Sequence, residues 1–221
     1  MSVIKSHEDR TPSLSVVFQS TTRDGLYDFF KSLIKAIPKD FIKRSNQCLI
    51  TVNGDPDTGK SMLWDIAREL HHTQKSLLKS HSRTEAHRIT APSEAIRTEI
   101  RVVESYEGNA LNLLFANAHS LSTHKDPEAQ KLLRTLVDLE NTFANDNPPP
   151  SAPLGNIIIL NNVMTFNGFA GKNAPVQIEI TDPTMSWSGA SSHWNRKTVV
   201  EINHPALLCA PMVQEFAQRY S

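Results

Sequence analysis

Glycine and cysteine are both scarce in this sequence, at 8 and 2 of 221 residues. Because glycine usually makes up about 7% of a protein, each glycine here is more informative than usual. The two cysteines, Cys48 and Cys209, are too few and too far apart for a disulfide or metal-ligand framework. We therefore expect a reducing compartment, most simply the cytoplasm.

Long apolar runs and excess charge of either sign are also lacking. No apolar run reaches the roughly 18 residues that a membrane-spanning helix needs, and the first 15 residues contain no apolar segment typical of a signal peptide. We expect no membrane partner. Lysine plus arginine number 23, as do aspartate plus glutamate, so the chain has no global field for attracting nucleic acid. The 39% of hydrophobic residues are enough for a core.

What remains is a pattern of alternating helices and strands. Large apolar residues recur at helical spacing from Leu26 to Ile37, and Pro38 ends this stripe. Continuous apolar runs predict buried strands at 48–52 and 157–160. Two later segments predict an antiparallel pair of strands, 176–180 and 198–202. Further predicted elements are a strand at 16–18, a hairpin formed by 100–103 and 111–115, and helices from 60, around 132–139 and from 205 to 220.

The most specific motif is the loop between the first buried strand and the helix that follows it. Its sequence is Gly54-Asp55-Pro56-Asp57-Thr58-Gly59-Lys60-Ser61, which fits the P-loop pattern G-x-x-x-x-G-K-[S/T] without a mismatch. Successive backbone N–H groups in such a loop, together with the helix N-terminus, form an anion site for phosphates. Two of the eight glycines fall in this motif. The sequence therefore predicts a nucleotide site for ATP or ADP.

The chemistry assigns a task to each part of the loop. Gly54 and Gly59 permit backbone angles and close approaches that a Cβ would block. Lys60 would reach the β- and γ-phosphates, and the Ser61 hydroxyl would be a ligand to Mg²⁺. We expect Asp55, Asp57 and Thr58, the remaining non-proline residues of the loop, to contribute to nucleotide binding.

The strand ends lack the acid that phosphate transfer normally needs. A P-loop enzyme places a carboxylate at the end of an apolar strand to hold Mg²⁺. The strand at 157–160 instead leads into Asn161 and Asn162, and the strand at 111–115 leads to Asn117. Amides bring no charge to a divalent cation. We expect weak or absent hydrolysis, unless Asp55, Asp57 or Glu104 replaces the missing acid.

In its order of parts, the sequence resembles the bacterial TsaE family, the P-loop ATPase of threonylcarbamoyladenosine tRNA modification. Gly54-Asp55 opens the loop as the family's Gly-Asp does, and 103–108 is similar to the family's Glu-x-Tyr hairpin. The resemblance continues through Asp-Pro-Glu at 126–128, a strand end at 158–162 and two antiparallel strands at 176–180 and 196–202. It spans residues 20–203, and the P-loop is its specific part.

The resemblance carries expectations for the site and for partners. It assigns nucleotide contacts to Gly54, Gly59, Lys60 and Ser61. The family's strand-end aspartate would fall on Asn117. The glutamate of its Ile-Glu-Trp-Pro segment would fall on Asn161, so we take these two, with Lys60, as candidate catalytic positions. The implied partners are TsaD-like and TsaB-like proteins and, through them, tRNA.

Two other functions remain open at this point. The first is a non-catalytic interaction module with a vestigial P-loop, which the strand-end asparagines favour. The second is a small-molecule or nucleoside kinase, in which arginines would clamp the phosphates as a lid. The candidate lid arginines are Arg83, Arg88, Arg97 and Arg101. Trp187 and Trp194 lie in a late loop, where we expect them to cap the core rather than to form an interface.

These observations together predict an α/β fold of the P-loop NTPase type. It would have three layers and a mixed central sheet that gains antiparallel strands toward the C-terminus. We expect a flexible tail at 1–15 and a single nucleotide-binding domain at 16–221. Within that domain we predict a mobile polar insertion at 71–97 and a proline-rich connector at 145–155.

Overall fold

The computed structural model describes residues 12–45, 48–55, 58–73, 103–107, 112–123, 125, 127–144, 157–162, 173–183 and 194–221. Within these residues, seven strands form one sheet in the order β1-β7-β6-β2-β5-β4-β3. The strands are β1 (Leu14–Ser20), β2 (Cys48–Gly54), β3 (Val103–Glu107), β4 (Asn112–Asn117), β5 (Ile157–Asn162), β6 (Val176–Thr181) and β7 (Arg196–Ile202).

The sheet is parallel in its centre and antiparallel at both sides. β2 lies between β5 and β6 and runs parallel to both, and β4 runs parallel to β5. β7 is antiparallel to β6 and to β1, while β3 is antiparallel to β4. The predicted mixed sheet with antiparallel C-terminal strands is therefore confirmed. Since the carboxyl ends of β2, β4, β5 and β6 meet at one edge, any site built from them lies there.

Helices cover the two faces of the central strands. They are α1 (Arg23–Ala36), α2 (Lys39–Ser45), α3 (Ser61–Thr73), α4 (Ala118–Thr123), α5 (Pro127–Ala144), α6 (Pro205–Leu208) and α7 (Pro211–Tyr220). In the described part of the chain, none of them has the length and apolar content that crossing a bilayer requires.

Alternate residues of the central strands belong to two separate cores, which makes the fold three-layered. Ile50 and Ile159 pack with side chains of α1, α3 and α7 in one core. Leu49 and Ile158 pack with side chains of α4 and α5 in the other. Because successive strand residues point to opposite faces, a strand covered on both sides must be apolar throughout. This is why the run at 157–160 is continuous.

In helix α1, the sequence determines both which face is buried and where the helix begins. Its buried stripe contains Leu26, Phe29 and Phe30. The Thr22 side chain caps its first turn by accepting a hydrogen bond from the Gly25 N–H at 3.1 Å. This cap fixes the start of α1 beside the end of β1, close to the P-loop.

The order of elements on which the resemblance to the TsaE family rested is confirmed: helix, strand, P-loop, helix, hairpin strands, helix, strand and two antiparallel strands. Several boundaries differ. β1 begins at Leu14, inside the predicted tail. Of the predicted strand at 100–103, only Val103 lies within the described residues, and β3 runs from there to Glu107. The C-terminal helix is split into α6 and α7, and α2 and α4 were not predicted. The rest of the predicted insertion after residue 73, and the connector at 145–155, lie outside the described residues.

Candidate functional site

The P-loop leaves the sheet at the carboxyl end of β2, the middle strand of the parallel group. Gly54 is the last residue of β2 and pairs with Ile180 of β6. α3 begins at Ser61, and its first turn is closed by a hydrogen bond from the Met62 N–H to the Gly59 carbonyl at 3.0 Å. The strand–loop–helix unit predicted from the sequence is thus present, and the chain is a P-loop-type protein.

Both loop glycines hold positions that a side chain would disturb. Gly54 has a φ of +156°, and a Cβ there would lie 2.4 Å from the Ile180 backbone oxygen. Gly59 has a φ of +97°, and a Cβ there would lie 3.3 Å from Leu26 Cδ2 and 3.4 Å from Trp194 Cη2. The first position is blocked by backbone and the second by side-chain tips, so the constraint on Gly54 is the stricter one.

Inside the loop, two side chains converge on the carbonyl oxygen of Asp55. The Thr58 hydroxyl donates to it at 2.9 Å, and the Lys60 ammonium donates to it as well. Thr58 is completely buried, and Lys60 is only 7% exposed. Lys60 is therefore held within the loop, next to the helix N-terminus. Pro56 and Asp57 lie outside the described residues, so the prediction for Asp57 stays a prediction.

Ser61 is placed differently from Lys60, since it is exposed at the start of α3. It lines a cleft of about 450 Å³ between α1 and α3. Among the other residues lining this cleft are Arg23 and Asp24 of α1, and Asp65 of α3. The Ser61 hydroxyl is therefore accessible at the positive end of the helix dipole.

The cleft has two aromatic walls. Tyr27 of α1 donates a hydrogen bond from its hydroxyl to Glu69 of α3, and this interaction raises the pKa of Tyr27 to about 12. Trp194, just before β7, forms another wall and approaches Gly59. The guanidinium of Arg196 lies 4.3 Å from the Trp194 ring centre, and it forms an ion pair with Asp182.

The structure brings the two candidate strand-end residues together. Asn117 of β4 and Asn161 of β5 are register partners, and Asn161 is also opposite Val52 of β2. By strand alternation both asparagines lie on the same face as Phe115 and Ile159, which is the face covered by α3. Within the described residues, the buried Asn161 Oδ1 has no hydrogen-bond partner.

Glu104, considered above as a replacement acid, lies far from the loop. It pairs with Phe115, whose register partner is Ile159, so its backbone is in the middle of the sheet rather than at the carboxyl edge. Two strands separate β3 from β2, a distance of three strand spacings or roughly 14 Å. No group of three His, Cys, Asp or Glu side chains that could hold a metal occurs among the described residues.

Sequence reasoning found the loop and the paired asparagines but missed the cleft. Trp194 was expected to cap the core. It does pack partly against the core, but it also lines the cleft beside Ser61. The candidate lid arginines from 83 to 101 lie outside the described residues.

The chain was compared with known protein families, curated proteins and solved structures. No protein-family model matches the sequence, and no curated protein matches it. Among solved structures, the chain is similar to the crystal structure of YdiB from Bacillus subtilis. That likeness has 10% sequence identity and a TM-score of 0.47, and it covers 98% of this chain and 100% of YdiB. The assignment of a P-loop-type α/β fold rests on the strand order and on the loop described above.

Proposed function

We propose that this chain binds ATP or ADP with Mg²⁺ at the loop from Gly54 to Ser61 and hydrolyses ATP slowly or not at all. The observation that carries the proposal is the P-loop itself. It lies at the carboxyl edge of parallel strands, both of its glycines have positive φ angles that other residues rarely adopt, and α3 begins directly after it. Phosphate groups bind at such loops because the backbone N–H groups and the helix dipole point toward them.

In this proposal the Lys60 ammonium changes its hydrogen-bond acceptor when a nucleotide binds. Its ammonium now donates to the Asp55 carbonyl, and a phosphate oxygen would take over part of that interaction. The exchange replaces a neutral acceptor by a charged one, which makes a stronger hydrogen bond. Thr58 keeps the Asp55 carbonyl satisfied through its own bond at 2.9 Å. Lys60 therefore needs little rearrangement to bind a nucleotide.

The residues present also fit a magnesium ion accompanying the phosphates. Ser61 offers an exposed hydroxyl at the start of α3, and the unpaired Asn161 Oδ1 offers an acceptor for a water molecule. A bound Mg²⁺ would neutralise charge on the phosphates. Asn117 and Asn161 would orient water by hydrogen bonds but supply no negative charge. This difference is the physical reason to expect slow turnover.

A protein that binds a nucleotide tightly and turns it over slowly is suited to act as a switch. We propose that the bound nucleotide regulates a partner complex, with TsaD-like and TsaB-like proteins, and tRNA through them, as the candidates that the family resemblance suggests. A cytoplasmic location would fit these partners. The second candidate is a non-catalytic module that keeps the nucleotide as a structural ligand, and the two amide side chains at the strand ends favour it.

Two measurements on one sample test the proposed nucleotide binding and slow hydrolysis. Calorimetric titration with ATP and ADP, with and without Mg²⁺, gives the dissociation constants. A phosphate-release assay then gives the turnover. Binding with at most a few turnovers per hour supports the proposed function, and different affinities for ATP and ADP would favour the switch over the structural ligand. Sustained turnover would contradict the expectation drawn from Asn117 and Asn161. A failure to bind at millimolar nucleotide would overturn the proposed function.

A further inference from the structure

The cleft between α1 and α3 begins where the P-loop ends. Ser61 belongs to both, because it is the first residue of α3 and also lines the cleft. The cleft volume of about 450 Å³ falls in the range of small-molecule sites, roughly 300–1,000 Å³. A group attached to the phosphates would therefore reach this cleft directly from the loop.

The charges in the cleft argue against a second phosphate site. It is lined by the carboxylates of Asp24 and Asp65 and by the guanidinium of Arg23. The Asp65 carboxylate is paired with Arg68 of the same helix at 3.2 Å, so these side chains together carry no net charge, which suits a neutral ligand with hydrogen-bond donors better than a further anion. Ribose hydroxyls and the amino groups of bases are donors of this kind.

Trp194 supplies the aromatic surface that such a ligand needs. The Arg196 guanidinium lies 4.3 Å from its ring centre. The buried ion pair with Asp182 anchors that guanidinium, since the side chains of Arg196 and Asp182 are only 10% and 2% exposed. The ring is therefore fixed in orientation before any ligand arrives, which lowers the entropic cost of stacking. Its six-membered ring also approaches Gly59, where a Cβ would lie 3.4 Å from Cη2.

We propose that this cleft is a nucleoside subsite, in which a base contacts Trp194 while the phosphates occupy the loop. The inference rests on the proposed function, because it places one end of the same nucleotide. The acidic side chains Asp24 and Asp65 accept hydrogen bonds from the ribose or base. Tyr27 closes the far wall, and its hydroxyl is bonded to Glu69.

Inorganic tripolyphosphate separates the two parts of the site. It carries the phosphates of ATP without the nucleoside, so its affinity reports on the loop alone. In the wild-type protein with Mg²⁺, we expect ATP to bind more tightly than tripolyphosphate by roughly 5- to 150-fold, the factor that base stacking on an aromatic side chain supplies. Trp194→Leu should remove most of this difference and leave the affinity for tripolyphosphate unchanged.

Two further variants complete the experiment. Trp194→Phe keeps an aromatic ring and should retain most of the difference. Tyr220→Leu removes a partly buried aromatic ring that packs against Phe29, outside the cleft, and should leave both affinities as in wild type. If Trp194→Leu proves unstable, Asp24→Ala takes its place: it removes a carboxylate from the cleft lining and should reduce the ratio of the affinities for ATP and tripolyphosphate.

Each other outcome overturns the inference in a recognisable way. Equal affinities of the wild-type protein for ATP and tripolyphosphate would exclude the nucleoside subsite and leave phosphate binding intact. A difference that persists in Trp194→Leu would place the base elsewhere. Absence of binding by both ligands would overturn the proposed function together with the subsite.

Discussion

Replacing Gly54 by alanine tests the geometry of the loop without any ligand. A Cβ at this position would lie 2.4 Å from the Ile180 backbone oxygen and 3.0 Å from the Thr58 hydroxyl. The clash is with a neighbouring strand, so it can be relieved only by moving β2 away from β6. The φ of +156° adds strain of roughly 1–3 kcal/mol for a non-glycine residue, and overpacking typically adds about 1–3 kcal/mol. We therefore expect Gly54→Ala to lower the free energy of unfolding by roughly 2–6 kcal/mol.

Gly59→Ala is the matched control, because it changes the other loop glycine in the same way. Its φ of +97° is also unfavourable, but a Cβ would meet only the side-chain tips of Leu26 and Trp194, at 3.3 and 3.4 Å. These tips can shift, so we expect only the backbone cost of roughly 1–3 kcal/mol. Urea unfolding followed by circular dichroism measures both changes. The reasoning would be refuted if the unfolding free energy of Gly54→Ala lay within about 0.5 kcal/mol of the wild-type value. A change of that size is typical of a substitution at an unconstrained surface position.

Three other perturbations follow from single contacts. Arg196→Ala removes the guanidinium that forms an ion pair with the buried Asp182 carboxylate and should cost roughly 3–5 kcal/mol of unfolding free energy; a loss below about 1 kcal/mol would contradict this. Asn161→Asp places a carboxylate on the face covered by α3 and should strengthen the Mg²⁺ dependence of ADP affinity, measured by calorimetry; an unchanged dependence would mean that the ion lies elsewhere. An aromatic disulfide reagent at pH 8 should react quickly with the exposed Cys209 and slowly with Cys48, because burial raises the pKa of Cys48 to about 12. Rapid reaction of both thiols in the native protein would contradict this expectation, because it would show that the reagent reaches Cys48 in β2.

The parts of the fold that were predictable are those determined by local sequence. The apolar stripe of α1 contains Leu26, Phe29 and Leu33, which lie on one face of the helix and are fully buried. The helical spacing of these residues in the sequence was therefore enough to predict α1. Helix α2, at Lys39–Ser45, was missed because its seven residues span barely two turns. It buries Phe41 and Ile42, and two apolar residues do not establish a period.

The same distinction applies to the candidate site. The loop and the asparagine following each strand are contiguous in sequence, so their chemistry could be predicted there. The cleft depends on tertiary structure instead: Trp194 is 135 positions after Gly59, and the two meet only because β7 folds back beside β6 and α1 lies across β1. No local pattern carries that information. A tryptophan in a late loop was therefore assigned to the core, the more frequent location for that residue type.

The central claim is that Lys60 and its loop bind a nucleotide, and the dissociation constant of Mg·ATP in two variants tests it most directly. Lys60→Ala removes the ammonium held at the loop. Lys35→Ala removes an exposed ammonium from the last turn of α1, roughly 18 Å along that helix from Arg23. We predict that calorimetry detects binding in the wild-type protein and in Lys35→Ala, and that Lys60→Ala weakens it by at least tenfold. Equal affinities in all three proteins would contradict the claim, because the nucleotide would then be bound without the loop.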